Sequence, residues 1–242
     1  MTTPSLSTIS LLHATRGRPE QAIACREQFL VAASHPERVE HLFAIDHDDA
    51  ESLAALEKFS HLTVQPAAGS VAAWNHAAEQ CTGEILVQLS DDWEAPDGWD
   101  VAIVERLPDA HSEAVLAIHD ACRSDEILTM AILTRGRYLA QGHLFHPGYV
   151  SMMSDYEFTH RAYRDGIVVE ARDLTFKHLH PSIDAADWDA TYQRQNAGEH
   201  YRAGFDHFLA RNPEALQSWP LNKRLRFWLR RKLERLGLVQ RK

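Results

Sequence analysis

The chain has 242 residues, 45% of them hydrophobic and 24% charged, and carries a net charge of −9 at pH 7. This is the composition of an ordinary globular chain long enough to bury one sizeable core, and it excludes disordered, collagen-like and membrane-spanning classes. The charge is uneven: residues 221–242 hold nine Lys/Arg and one Glu, a net +8, which leaves −17 on residues 1–220.

An acidic body lacks the basic face that nucleic acid requires, so no nucleic-acid partner is expected. Cys25, Cys81 and Cys122 are odd in number and far apart, with neither metal-ligand spacing nor a disulfide framework, which points to a reducing compartment. The first twenty residues lack the basic start and apolar run of a secretory signal. A cytoplasmic protein is the expectation.

Leu6–Ala14, apolar and partly β-branched between Pro4 and Gly17, reads as a buried strand, and Pro19 opens a helix that runs to about Ala33. The pattern then repeats. Val39–Asp46 reads as strand, Ala50–Phe59 as helix, Leu62–Gln65 as a short strand, Ser70–Gln80 as helix, and Glu84–Leu89 as a strand ending at Ser90-Asp91-Asp92. Strand and helix alternating at this spacing predict an α/β domain with a mostly parallel sheet flanked by helices. Beyond Asp92 the expected elements are a helix over Trp99–Leu107, strands over Ala114–Ile118 and Ile127–Thr134, and a helix over Asp155–Arg164. Two strands follow, Ile167–Glu170 and Leu174–His178, then one long polar helix over Asp187–Ala210 and a basic helix over Asn222–Leu236. The stretch Asn212–Pro220 reads as a linker, dividing a domain over 1–211 from a C-terminal helical extension over 212–242.

Ligands of open α/β sheets bind beyond the carboxyl ends of the strands, and here those ends are polar. The first strand runs into Thr15-Arg16-Gly17-Arg18, the second ends at Asp46-His47-Asp48-Asp49, and another ends at Ser90-Asp91-Asp92. Two guanidiniums suit a diphosphate, a carboxylate accepts from a base or ribose, and adjacent aspartates suit a hard divalent cation shared with phosphate. An Asp-Asp pair after a strand is also an ordinary turn or helix cap.

The order of these pieces resembles the family 2 glycosyltransferases of the GT-A fold over roughly Ser5–Pro181. The resemblance is carried by ISLLHATRGRP, FAIDHDD, GSVAAWNHAAEQCTGEILVQLSDDW and SDYEFTHRAYRDG. It implies a GT-A-like, Rossmann-type domain that transfers a sugar from a nucleotide-diphosphate donor to a hydroxyl acceptor, a glycan or a lipid-linked one. On this resemblance Thr15, Arg16, Arg18, Asp46, Asn75 and Asp91 bind the donor. Asp92 is the direct ligand of Mn2+ or Mg2+, and Asp46 matches the position that reads the base, where a carboxylate accepting from uracil favours UDP. Trp74 stands where many members carry Arg.

Asp155, in Ser154-Asp155-Tyr156-Glu157, matches the catalytic base of an inverting transfer, although an Asp there also caps a helix. His178 and His180, two apart on an extended segment, face one side and are additional metal candidates; with fifteen His in the chain, chance adjacency is the competing account. His146, Tyr149 and Glu157 flank the acidic motif on the acceptor side, in a stretch that also reads as an ordinary turn. Leu221, Leu225, Trp228, Leu229, Leu233 and Leu236 recur at helical spacing among basic residues, which suits an anionic membrane surface or packing on the acidic body or a second subunit. Ser90 and Ser154 replace commoner acidic residues, which keeps a non-catalytic scaffold of the same fold in view beside the transferase. A nucleotidyltransferase is a further alternative, against which HATRGRP offers a single Gly.

Overall fold

A computed structural model describes residues 7–65, 69–183 and 187–216. Seven strands form one sheet in the order β3-β2-β1-β4-β7-β6-β8. Strands β1 (Ile9–Thr15), β2 (Val39–Asp46), β3 (His61–Val64) and β4 (Ile85–Leu89) are parallel, with Ile9 opposite both Val39 and Ile85. Strand β7 (Ile132–Thr134) runs antiparallel to both its neighbours, β4 and β6 (Val115–His119), while β8 (Val168–Thr175) is parallel to β6. A separate two-stranded ladder pairs β5 (Trp93–Glu94) with β9 (Lys177–His178).

Side chains alternate across the strands, so each face of the sheet closes its own core. On β1, Leu12 faces a cluster with Leu86, Ala77 of α3 (Gly69–Gln80) and Phe158 of α6 (Ser154–Arg164). Ile9 and Leu11 face the other way, against Phe29 of α1 (Pro19–Ala32) and Trp99 and Ile103 of α4 (Trp99–Arg106). Phe43, Ile45 and Ala22 meet Leu56 of α2 (Ala50–Leu56) in a smaller cluster. Trp99 is fully buried, and its indole N–H donates to the Phe29 carbonyl at 2.8 Å.

The chain order first reverses after β3. Strands β1, β2 and β3 build outward in one direction, and α3 then carries the chain back so that β4 pairs on the opposite side of β1. A crevice therefore opens beyond the carboxyl ends of β1 and β4, between loops that leave in opposite directions.

Three sequence expectations are corrected and one unexpected helix is added. The strand expected over Ile127–Thr134 is confined to 132–134, because the preceding residues belong to a loop fastened by Asp120, which accepts from Thr129 Oγ1 at 2.7 Å and from the backbone N–H groups of Cys122 and Arg123. The two strands expected over 167–178 are one strand, β8, and the short β9, whose pairing with β5 takes it out of the main sheet. The single helix expected over Asp187–Ala210 is two, α7 (Ala190–Gln195) and α8 (Gly198–Arg211). The break falls at Ala197, which is extended, just after Asn196 donates both its backbone N–H and its side-chain amide to the Tyr192 carbonyl. A helix not expected from the sequence, α5 (Arg135–Gln141), is capped by Thr134 and ended by the left-handed Gly142.

Asn212 is buried and Ala215 packs on the core, so the described part of the expected linker lies against the domain. The rest of that linker and the basic helix expected over 222–236 lie outside the described residues. Among the described residues no helix is long and apolar enough to cross a membrane.

Asp100 joins the two helices of the second core: its carboxylate accepts from the backbone N–H groups of Ser34 and His35 at 2.8 and 2.7 Å, just past the end of α1. It is 4% exposed. Asp100→Ala strands both donors, and a loss of about 2–4 kcal/mol in unfolding free energy is expected by urea denaturation.

Candidate functional site

A cavity of about 500 Å³ occupies the crevice at the strand reversal. Its floor is Thr15 and Arg16 after β1, Asp46 at the end of β2, and Ser90, Asp91 and Asp92 after β4. Trp74 of α3 forms a wall, fixed by its indole N–H donating to the Leu89 carbonyl at 2.8 Å. Gly69 begins α3 at φ +81°, and a Cβ there would meet the Val150 carbonyl oxygen at 2.2 Å, so only glycine lets the 150 loop close against the helix. The far wall is α7 with the start of α8: Thr191, Tyr192, Arg194, Glu199 and His200.

Charge at the floor is paired. Arg16 Nη1 donates to Asp46 at 2.6 Å, and the same guanidinium bonds Asp48, which raises it above its usual value. Arg18 donates from Nε and Nη2 to the two oxygens of Asp189 at 2.6 and 2.5 Å and stacks over the Tyr192 ring, 4.1 Å from its centroid. Tyr192 in turn donates to Asp92 at 2.5 Å, and Ser90 Oγ donates to the other Asp92 oxygen at 2.6 Å. The Nε2 of His178 stands 3.3 Å from Asp92. Burial works against a charge on Asp92, but His178 and the two hydroxyls outweigh it and hold the carboxyl well below the usual carboxylate range. Asp91, also buried, is pushed up by burial and partly relieved by His13, whose Nε2 lies 3.0 Å from Oδ1.

His178 reaches Asp92 because β9 pairs with β5 in a register that sets His178 opposite Trp93, their rings stacked 4.2 Å apart. His180 stands one step back, its ring 5.2 Å from His178 and 5.4 Å from Tyr192. Among the described residues no group of three or more His, Cys, Asp or Glu side chains is placed to hold a metal ion. The Asp92 carboxylate nevertheless fits a hard cation of the Mg2+ type, which takes one or two carboxylates and completes its shell with water and substrate phosphate, while the His178 imidazole is a ligand for a softer ion than Mg2+.

Thr15, Arg16, Arg18, Asp46, Asp91 and Asp92 thus line one cavity, with His178 bonded to its edge. Asn75 does not join them. Its amide donates to the Phe145 carbonyl at 2.8 Å and its oxygen accepts from the N–H groups of Leu144 and Phe145, so it fastens the 144–145 turn to α3. Asp155 sits in the first turn of α6, four residues past the lining residue Ser151, and is not itself in the lining. The acceptor-side candidates His146, Tyr149 and Glu157 are not in the lining either. Tyr149 donates to Glu157 at 2.6 Å, Arg211 Nε donates to the same carboxylate at 2.9 and 3.0 Å, and His146 bonds His207. Tyr149 and Glu157 are 3% and 2% exposed, which makes this cluster the clamp between α6 and α8. Tyr192, Asp189 and Arg194 are functional neighbours that sequence reasoning missed: nothing local ties residues 189–194 to a strand end more than 170 positions earlier.

No known protein-family profile and no curated protein matches this sequence. Solved structures do match. TarS 1–349 of S. aureus, a GT-A glycosyltransferase, superposes with a TM-score of 0.60 at 13% identity over 89% of this chain and 76% of that one. The same fragment in complex with UDP gives 0.58 at 13% identity, over 91% and 78% of the two chains. The mannosyltransferase PcManGT of Pyrobaculum calidifontis, in complex with GDP-Man and Mn2+, gives 0.57 at 12% identity over 98% and 82%. The chain has a GT-A-like fold, as the resemblance implied.

His143 is pushed down to about 4, first by burial and then by the Arg161 cation and the neighbouring His146 ring. The unfolded chain, whose histidines titrate near 6.5, therefore takes up this proton first, and stability is lost as pH falls from about 6.5 to about 4. The ring is partly exposed, so the screened contribution is about 1–2 kcal/mol. His143→Gln removes it: the difference in unfolding free energy between about pH 7 and about pH 4.5, measured in urea, is expected to shrink by that amount.

Proposed function

We propose that the protein is a glycosyltransferase that binds a nucleotide-diphosphate sugar in the cavity at the strand reversal and passes the sugar to a hydroxyl acceptor. The observation that carries this reading is the constellation at the end of β4: a buried carboxylate kept ionised at Asp92, with His178 beside it and the Arg18 guanidinium on the same cavity wall. Paired with a bound cation, Asp92 and His178 hold one side of a diphosphate; Arg18, already forked onto a carboxylate, has the geometry to fork onto a phosphate. A cation there supplies neutralisation of the charge that develops on the departing diphosphate. Asp46 and Arg16 close the end of the cavity farther from β4, where the base of the donor is read, and UDP is the nucleotide proposed. TarS bound to UDP and PcManGT bound to GDP-Man with Mn2+ support a nucleotide-sugar site of this kind in this fold.

In this structure Arg18 and Asp92 are held by Asp189 and Tyr192, so donor and cation enter by taking over those bonds. Asp155 is proposed as the base of an inverting transfer. Burial raises its proton affinity, as a group that must take a hydroxyl proton requires.

The test is a thermal-shift and turnover screen of UDP-, GDP- and CDP-sugars with and without Mn2+ or Mg2+. A UDP-sugar is expected to raise the melting temperature only with the ion, by mass action on the folded state, and Asp92→Ala to abolish the rise. Asp155→Asn is expected to bind the donor normally and to lose turnover by about 10²–10⁴. Near-normal turnover in that variant removes the base assignment, and the absence of any shift with any nucleotide leaves the scaffold reading instead.

A further inference from the structure

Strand alternation puts residues 13 and 41 on the α1 side of the sheet, in line with Ile9 and Leu11 on β1 and beside Phe43 on β2. Apolar residues belong there, and two imidazoles occupy the places. His13 is 0% and His41 8% exposed, and both rings pack against Phe43, with centroids 4.8 and 4.4 Å away.

The two rings form a relay. His41 Nε2 lies 3.0 Å from His13 Nδ1, and His13 Nε2 lies 3.0 Å from Asp91 Oδ1 at the cavity floor. With Asp91 as the acceptor, His13 carries its proton on Nε2 and accepts on Nδ1, which requires the His41 proton on Nε2 as well. His41 Nδ1 then faces the apolar layer bare, and it has no hydrogen-bond partner among the described residues. Burial and the neighbouring His13 and Arg26 push His41 well below its usual value, in keeping with a neutral ring. A pair of apolar side chains would fill this space with no orphaned nitrogen. What the imidazoles add is a directed donor onto Asp91, the one group of the three that reaches the cavity.

Resting on the donor reading above, we infer that His13, oriented by His41, is a positioning residue that fixes the Asp91 carboxylate toward the hydroxyl groups of a bound nucleotide sugar. The His13 bond holds the Asp91 carboxylate in one orientation without drawing on the hydroxyls and imidazole that serve Asp92.

Two polar substitutions separate positioning from space filling. In His13→Gln the side-chain amide nitrogen reaches the place of Nε2 and still donates to Asp91, whereas in His13→Asn it stops near the place of Nδ1 and falls short. Binding of UDP-N-acetylglucosamine and of GDP-mannose, each with Mn2+, is measured by calorimetry on wild type, both His13 variants and His41→Leu, with thermal unfolding alongside. For whichever probe binds wild type, His13→Asn is expected to weaken binding at least tenfold and His13→Gln to stay within threefold, while the two unfold within a few degrees of each other. His41→Leu is expected to fall between them. Two-bond ¹H–¹⁵N spectra of the wild type are expected to show the Nε2–H tautomer for both rings. Equal affinities for wild type and His13→Asn, or an Nδ1–H tautomer at His13, overturn the positioning role and leave the donor reading standing. Failure of both probes and of UDP and GDP to bind wild type overturns the donor reading and the positioning role together.

Discussion

The placement of two adjacent carboxylates, Asp91 and Asp92, in a turn that water barely reaches is the constraint around which the site is built. Each needs its own source of compensation, and the fold draws on different layers for the two. Asp92 is served from the cavity side by His178, Ser90 and Tyr192, Asp91 from inside the sheet by His13. The small β5–β9 ladder, whose Trp93 is buried in the core on the α1 side, brings the His178 ring within reach of Asp92. The reversal of strand order at β1 and β4 is what allows both routes, since it opens a crevice on one side of Asp91 and leaves a packed sheet on the other.

Most of the sheet is legible in the sequence, because β1, β2 and β4 are apolar runs of strand length separated by helical periodicity, and their polar ends mark one edge. That edge groups Arg16, Arg18, Asp46, Asp91 and Asp92 from residue order alone. The departures share a feature. Propensity alone predicts the strand at 127–134 and the single helix at 187–210, while a side chain bonded to backbone, that of Asp120 or of Asn196, stands beside each departure. Residues 142–157 show the same reach: Tyr149, Glu157 and His146 have the chemistry of a binding loop, and Arg211 and His207, to which Glu157 and His146 bond, come from a helix fifty and more residues on. Asn75 matches a motif position, and its amide is spent on the 144–145 backbone.

His13 shows the limit from the other side. Within ISLLHAT it sits in an apolar run with nothing to distinguish it from a stray polar residue in a strand. Its meaning depends on a partner 28 residues away on β2 and another 78 residues away on the turn after β4, and no local pattern records either.

The long reach of the Arg18–Asp189 pair, 171 residues apart in the chain, also orders events in time. A chain emerging from the ribosome can pair β1 through β4 and shape the crevice floor well before α7 has been made, and contacts of such separation close late because the intervening loop must first be organised. All seven strands of the sheet precede α7 in the chain, so the whole sheet is encoded before the short helix that supplies Tyr192 and the far wall of the cavity.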